Sequence, residues 1–378
     1  MVGDANRRGY ALLLDKFWDE CKSHSITLPT AKPVSAAALC QARSKISTDL
    51  LRHLVQSASA RFEDSFDELS RWHGRRVFAV DGSKFSLSRS VDLDRHFGRP
   101  QRGNTPHATV SALVNVMNGL PYDLVIGPAS SDERELAMQH LDVVERGDVL
   151  VMDRGYPSEK LLRDLSNLGI DFLVRVPTRK PWNIVRDFLE SGKNDRCIRL
   201  KTNKTSPKCE PVDVRLIKST APDGDEAVYL TSLRKAHVSR HQIVKLYRKR
   251  WEVEELYKVK KANYFNPSQF HARSPHGVKQ EILAQALFVV LSRFLMATAA
   301  RSGEHAYRDL SVKNAILCLS EYITRICITD PRAYHAERLV DLLDRLDKVL
   351  NKRRPGRIFP RRSFKPNPKW GASGRRRG

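Results

Sequence analysis

The segment Arg75–Ser83, RRVFAVDGS, decides the fold class. Its β-branched and aromatic centre closed by Asp-Gly predicts a short strand ending near Asp81. Further on, Asp148–Asp153, DVLVMD, is a continuous apolar run of the kind found in strands covered on both faces. Between them, HATVSALVNVMNG (107–119) and PYDLVIGP (121–128) predict two strands joined by a tight Asn-Gly turn. DERELAMQHLDVVERG (132–147) predicts an amphipathic helix with acids in its first turn and a glycine stop. After DVLVMD come a helical pattern, SEKLLRDLSNLG, and a strand pattern, DFLVRV. Three strands in succession followed by helix, strand, helix, strand describe a mixed α/β sheet: a meander first, then helical crossovers.

The flanks follow other periods. Residues 35–69 place apolar side chains three and four apart behind a Ser35 N-cap, which predicts helix. From 177 to 236, short strand-like runs alternate with Pro, Asn, Asp and Gly clusters, a β-rich insertion. Helix returns at 239–263 behind a Ser239 cap, again over 275–300, and over roughly 310–350. The most apolar run, Ile282–Ala300, is broken by Gln285, Ser292 and Arg293, so it reads as a buried helix and not a membrane span. The expected organisation is an N-terminal helical region that contacts DNA (1–74), a catalytic core in two pieces (75–176 and 237–302), the insertion (177–236), a C-terminal helical region (303–350) and a disordered basic tail (351–378).

Hydrophobic residues at 41% and charged ones at 29% exclude wholesale disorder. The net charge of +23 makes a strong field for anions, with nucleic acid the usual polyanion. The tail holds eleven Lys or Arg and no acid, so it should add salt-sensitive, sequence-independent DNA affinity. The six cysteines show no C-x-x-C spacing, which favours free thiols in a reducing cytoplasm. The N-terminus lacks the apolar core of a signal peptide.

Asp81 and Asp153 both sit at expected strand ends, where open α/β sheets place their ligand crevices. Two close carboxylates repel unless a cation lies between them, and an oxygen-rich acidic pair suits Mg2+. Taken singly, each aspartate is equally well explained as a turn cap. In LYRKRWEVEELYKVKK (246–261), Tyr247, Arg250, Glu254 and Lys261 fall on one helical stripe about 60° wide at 100° per residue. One carboxylate flanked by cations and a tyrosine suits a metal-assisted phosphodiester site; an exposed helix with an Arg250–Glu254 ion pair has the same spacing. Trp251 either stacks on an unpaired base or packs the helix to the sheet. Arg154 either steadies a phosphate or pairs with a sheet-end carboxylate. Glu135 needs no more than the dipole of its helix. His96, His271 and His276 read as polar loop residues.

AVDGS, VLVMDRGYPS and the Y-x2-R-x3-E-x6-K tetrad resemble the DDE transposases of the insertion sequence 4 type. Every spacing of the tetrad is matched, and the resemblance spans roughly residues 35–302. It implies an RNase H-like core with Asp81, Asp153 and Glu254 as the catalytic, metal-holding acids. It also implies that Tyr247, Arg250 and Lys261 contact the phosphates and end bases of DNA. The implied cofactor is Mg2+, with Mn2+ able to replace it. The implied partners are the transposon's terminal inverted repeats and target DNA, with a homodimer holding two ends. The implied activity is cut-and-paste transposition in a bacterial, nucleoid-associated setting. A silent DNA-binding derivative and a nuclease without strand transfer are the alternatives; the intact acids and tetrad speak against the first.

Overall fold

The computed structural model describes residues 9–23, 25–28, 30–100, 103–200, 211–220, 226–259, 270–328 and 335–351. The chain opens with helices α1 (Tyr10–Ser23), α2 (Ala36–Ser44), α3 (Thr48–Ser65) and the short α4 (Asp67–Ser70). Ser35 caps α2 as expected, its side chain accepting from the Ala38 N–H.

A two-residue strand, β1 (Arg71–Trp72), then turns back into β2 (Arg75–Ser86), which does not end at Asp81. β2 stays paired with β3 (His107–Asn115) from Phe78↔Asn115 as far as Ser86↔His107. The Asp-Gly signal was therefore misread as a turn: Gly82 lies inside the strand, opposite Ser111. A helix the sequence pattern did not suggest, α5 (Val91–Phe97), follows and contains His96. β4 (Leu120–Pro128) closes the meander through the Asn118-Gly119 turn. Gly119 has φ +73°, and a Cβ there would also lie 2.6 Å from the Arg293 guanidinium.

The expected helix over 132–147 is shorter: α6 (Glu133–Met138) gives way to a 3₁₀ turn at Gln139–Val143. β5 (Val149–Met152), α7 (Glu159–Asn167) and β6 (Asp171–Val176) form a crossover unit, with β2, β5 and β6 mutually parallel. The order β4-β3-β2-β5-β6 is third-second-first-fourth-fifth along the core, the RNase H-like arrangement. Residues 177–236 include a helix among their strands, α8 (Asn183–Glu190), followed by β7 (Asp195–Leu200), β8 (Val212–Thr220) and β9 (Glu226–Thr231). These three strands do not fold apart from the core; β9 pairs antiparallel with β6 and the sheet continues through β8 to β7.

Both faces of the sheet are covered, which explains the uninterrupted apolar runs. On one face, Val77, Ala79, Val149, Val151 and Leu173 join a core that includes Phe62 of α3. To it also belong Leu246 of α9 (Arg240–Arg248), Leu256 of α10 (Trp251–Val259) and Ile282 of α11 (Pro275–Ser302). On the other, Phe78, Val80, Leu150, Met152 and Phe172 pack with Leu162 of α7 and Phe188 of α8. Helix α11, which includes His276, is long and apolar enough to cross a membrane, yet most of it is buried inside the protein. Its buried Arg293 donates to the Asn118 carbonyl at 2.6 Å and lies 3.1 Å from the Tyr307 hydroxyl. Helices α12 (Val312–Ile328) and α13 (His335–Lys348) complete the described chain.

Candidate active site

Sheet register places the two aspartates. β2 and β5 pair in parallel from Val77↔Val149 to Ala79↔Val151. Two residues on, Asp81 and Asp153 stand side by side on the face covered by α9, α10 and α11, with neighbouring strands about 4.8 Å apart. Asp81 is half-buried and accepts from the Gly82 N–H at 3.0 Å. The Tyr257 hydroxyl lies 2.8 Å from the Asp81 carbonyl oxygen and 2.9 Å from that of Val110, so it fastens α10 to both strands at this point.

The tetrad segment is not one helix. Ser239 and Gln242 form a capping box at the start of α9, as the Ser239 signal suggested. The chain then tightens: Lys249, Arg250, Glu252 and Val253 each donate to the carbonyl three residues back, and α10 begins at Trp251. The single stripe is therefore replaced by two short helices, yet three of its members still reach the aspartates. Tyr247 donates to Asp153 Oδ1 at 3.2 Å, and Arg250 Nη2 donates to Glu254 Oε1 at 2.8 Å. Arg250 also lies 5.9 Å from the centre of the Tyr247 ring, and its Nε is buried without a hydrogen-bond partner. Lys261, and the tail after Asn351, lie outside the described residues. Arg154 is exposed beside Asp153, and half-buried Trp251 donates its indole N–H to Glu255 at 2.8 Å.

Electrostatics tie the acids together. Burial pushes Asp81 up to about 6; Arg250 and the Gly82 N–H pull it down, while Glu133 and Glu254 push it further up. Burial, then the charge of Asp153, raises Tyr247 well above the ordinary phenol range. Among the described residues, no three His, Cys, Asp or Glu side chains stand close enough to hold one ion as they are. Tyr247 and Arg250 engage one oxygen each of Asp153 and Glu254. The donor chemistry nonetheless fits a hard divalent cation: carboxylate oxygens only, with repulsion at Asp81 that a cation relieves.

Three further side chains were missed by sequence reasoning. Continuing the β5–β6 register past Met152↔Val174 sets Arg175 beside Asp153 on the same face. Arg175 is half-buried, its charge acts on Tyr247, and its signal was a cation inside the apolar run DFLVRV. Glu133 lies against Gly82, and Tyr156 is buried close enough to feel Asp81, Glu133 and Asp153. One constellation that resembles a hydrolase triad is structural. His140 Nδ1 is 2.6 Å from Asp123 and its Nε2 is 3.0 Å from Ser111, but all three are sealed in the core.

The family model described as the transposase DDE domain matches residues 72–291, which contain every described residue of this site. This chain belongs to the DDE transposases, in the insertion sequence 4 group. It is 25% identical over 287 residues to the transposase InsG of insertion sequence element IS4 from Escherichia coli K12, covering 73% of this chain. That match spans 64% of the length of InsG. A second relative, the putative transposase InsZ of the same strain, is 25% identical over 227 residues, covering 58% of this chain and 70% of InsZ. A solved synaptic complex of piggyBac transposase with hairpin DNA aligns with a TM-score of 0.44 at 10% identity, over 94% of this chain and 86% of that one. Within the DDE family, Asp81, Asp153 and Glu254 are the residues of this transposase chain that match its three-acid signature.

Proposed function

We propose that this chain is a DNA transposase that cleaves strands at its element's ends and joins the freed 3′-OH to target DNA. One observation carries the reading: β2 and β5 bring Asp81 and Asp153 side by side, and α9–α10 deliver Tyr247, Arg250 and Glu254 over them. Asp81, Asp153 and Glu254 hold Mg2+, which Mn2+ replaces. Bound there, divalent ions supply Lewis-acid activation of an attacking water or 3′-OH and stabilise the leaving oxygen in an in-line displacement.

The protein's own part is to grip and place the phosphodiester. Tyr247 and Arg250 donate to carboxylates here, and a phosphate in the cleft offers them an acceptor of the same charge. Arg175, half-buried next to Asp153, and Lys261 extend that grip, while Arg154 meets the backbone at the exposed rim. Trp251 offers a flat face to an unpaired base. The net charge of +23 draws terminal repeats and target DNA to the surface. Residues 1–74 and the basic tail add DNA contacts, and two copies hold two ends in the bacterial cytoplasm. The division into core pieces 75–176 and 237–302, insertion 177–236 and C-terminal helices 303–350 belongs to the same proposal.

The test is cleavage and strand transfer on a duplex bearing the element's own ends. Wild type with Mg2+ should perform both; Asp81→Asn and Glu254→Gln should bind the duplex and perform neither. Cleavage without joining would make it a nuclease, and cleavage by Asp81→Asn at the normal rate would refute the site.

A further inference from the structure

Glu133 is the first residue of α6, capped by Asp132, and α6 packs on β2 and its meander partners. Its side chain lies across the backbone of Gly82. A Cβ on Gly82 would stand 2.7 Å from Glu133 Cδ, 2.9 Å from Cγ and 3.0 Å from Oε2. Gly82 is not in the left-handed region, so no turn demands a glycine there. What glycine supplies is room for a carboxylate next to Asp81.

That carboxylate is poorly explained as part of the scaffold. Glu133 is exposed, and no ion pair to it occurs among the described residues. The adjacent Arg134 is committed elsewhere, its Nε donating to the Gly155 carbonyl at 2.8 Å. Glu133 therefore adds a negative charge beside a half-buried one, uncompensated within the protein. A second, independent feature points into the same space. Tyr156 is 4% exposed and its hydroxyl has no hydrogen-bond partner, although Asp81, Glu133, Asp153 and Arg250 all act on it. A buried hydroxyl left unmade costs about 1–3 kcal/mol, unless a bound species that the polypeptide does not itself supply satisfies it.

We infer that Glu133 is a fourth carboxylate of the active site, binding a divalent cation together with Asp81, with the Tyr156 hydroxyl hydrogen-bonded to that ion's water. This rests on the proposed metal-dependent reading, and extends its acid set from three residues to four.

Mn2+ binding to the full chain, followed by electron paramagnetic resonance, tests both levels. Wild type should bind Mn2+ and Asp81→Asn should lose it. Glu133→Gln should weaken the binding about tenfold with the circular dichroism spectrum unchanged. Gly82→Ala keeps every carboxylate but displaces Glu133, so it should weaken Mn2+ binding similarly, and the double variant should add little further loss. Tyr156→Phe should weaken it by a smaller factor. If Asp81→Asn loses the ion while Glu133→Gln and Gly82→Ala bind like wild type, the fourth carboxylate is refuted and the three-acid site stands. If wild type binds no Mn2+, or Asp81→Asn binds it normally, both readings fall.

Discussion

The hydroxyl of Tyr247 donates to Asp153 across 3.2 Å, joining α9 to the end of a strand 94 residues earlier in the chain. Tyr247→Phe deletes that bond and keeps the ring that packs 4.7 Å from Tyr229. Stability should fall by no more than about 1 kcal/mol, since one hydrogen bond is lost and Asp153 keeps access to solvent. Cleavage of the end duplex should fall by roughly tenfold or more if the same hydroxyl grips a phosphate. Urea melts beside a cleavage assay separate the two effects.

Tyr257 fastens the helix that carries Glu254. Its hydroxyl serves the carbonyls of Asp81 and Val110, and the residue is buried. Tyr257→Phe should cost about 1–2 kcal/mol, more than the Tyr247 variant, because nothing replaces the donor in the core. It should also slow cleavage while leaving duplex affinity intact, a split that gel shifts and single-turnover assays would reveal.

Arg52 of α3 grips Asp123 of β4 with two hydrogen bonds, at 2.7 and 2.6 Å, while His140 binds the same carboxylate. Burial alone would raise Asp123, but Arg52 and His140 hold it well below the usual carboxylate range. Its contribution to stability is therefore complete above the unfolded pKa, about 3.9, and is lost as pH falls. Arg52→Met strands a fully buried carboxylate and should destabilise by about 2–3 kcal/mol at pH 7, discounted because Arg52 is itself part-exposed. The gap between the variant and wild type should narrow in melts below pH 4.

Glu63 behaves in the opposite sense. Burial pushes it up to about 7, against the pull of Asn115, 2.7 Å away, and Arg76. A folded-state value above the unfolded one, about 4.3, gives stability that is full below that value and lost as pH rises through 7. Glu63→Gln keeps the acceptor for Asn115 and removes the titration. It should match wild type near pH 4 and exceed it by roughly 1–3 kcal/mol at pH 8. Equal melting temperatures for the two proteins at pH 8 would contradict this.

Much of the frame was legible in the chain because apolar runs announce strands buried on both faces. DVLVMD and DFLVRV became β5 and β6, and HATVSALVN became β3. Asp81 was found for a partly wrong reason: Gly82 was read as a turn, but it is a mid-strand residue that makes room for Glu133. That packing belongs to tertiary structure, and no local pattern announces it. Glu133 lay hidden because acids in a first helical turn are common, and Arg175 because one cation in a strand is easily assigned to a surface. The break between α9 and α10 escaped notice because i→i+3 bonding leaves the apolar spacing nearly helical.

Strands β9, β8 and β7 are added at the free edge of β6, on the far side from Asp81. The segment separating the second acid from the third in sequence thus lies outboard of the parallel pair that aligns the first two. Lengthening or trimming the link between Leu200 and Val212 leaves the β2–β5 register untouched. A lineage is free to vary this edge, recruiting new surfaces for other end sequences, while inheriting its chemistry unchanged.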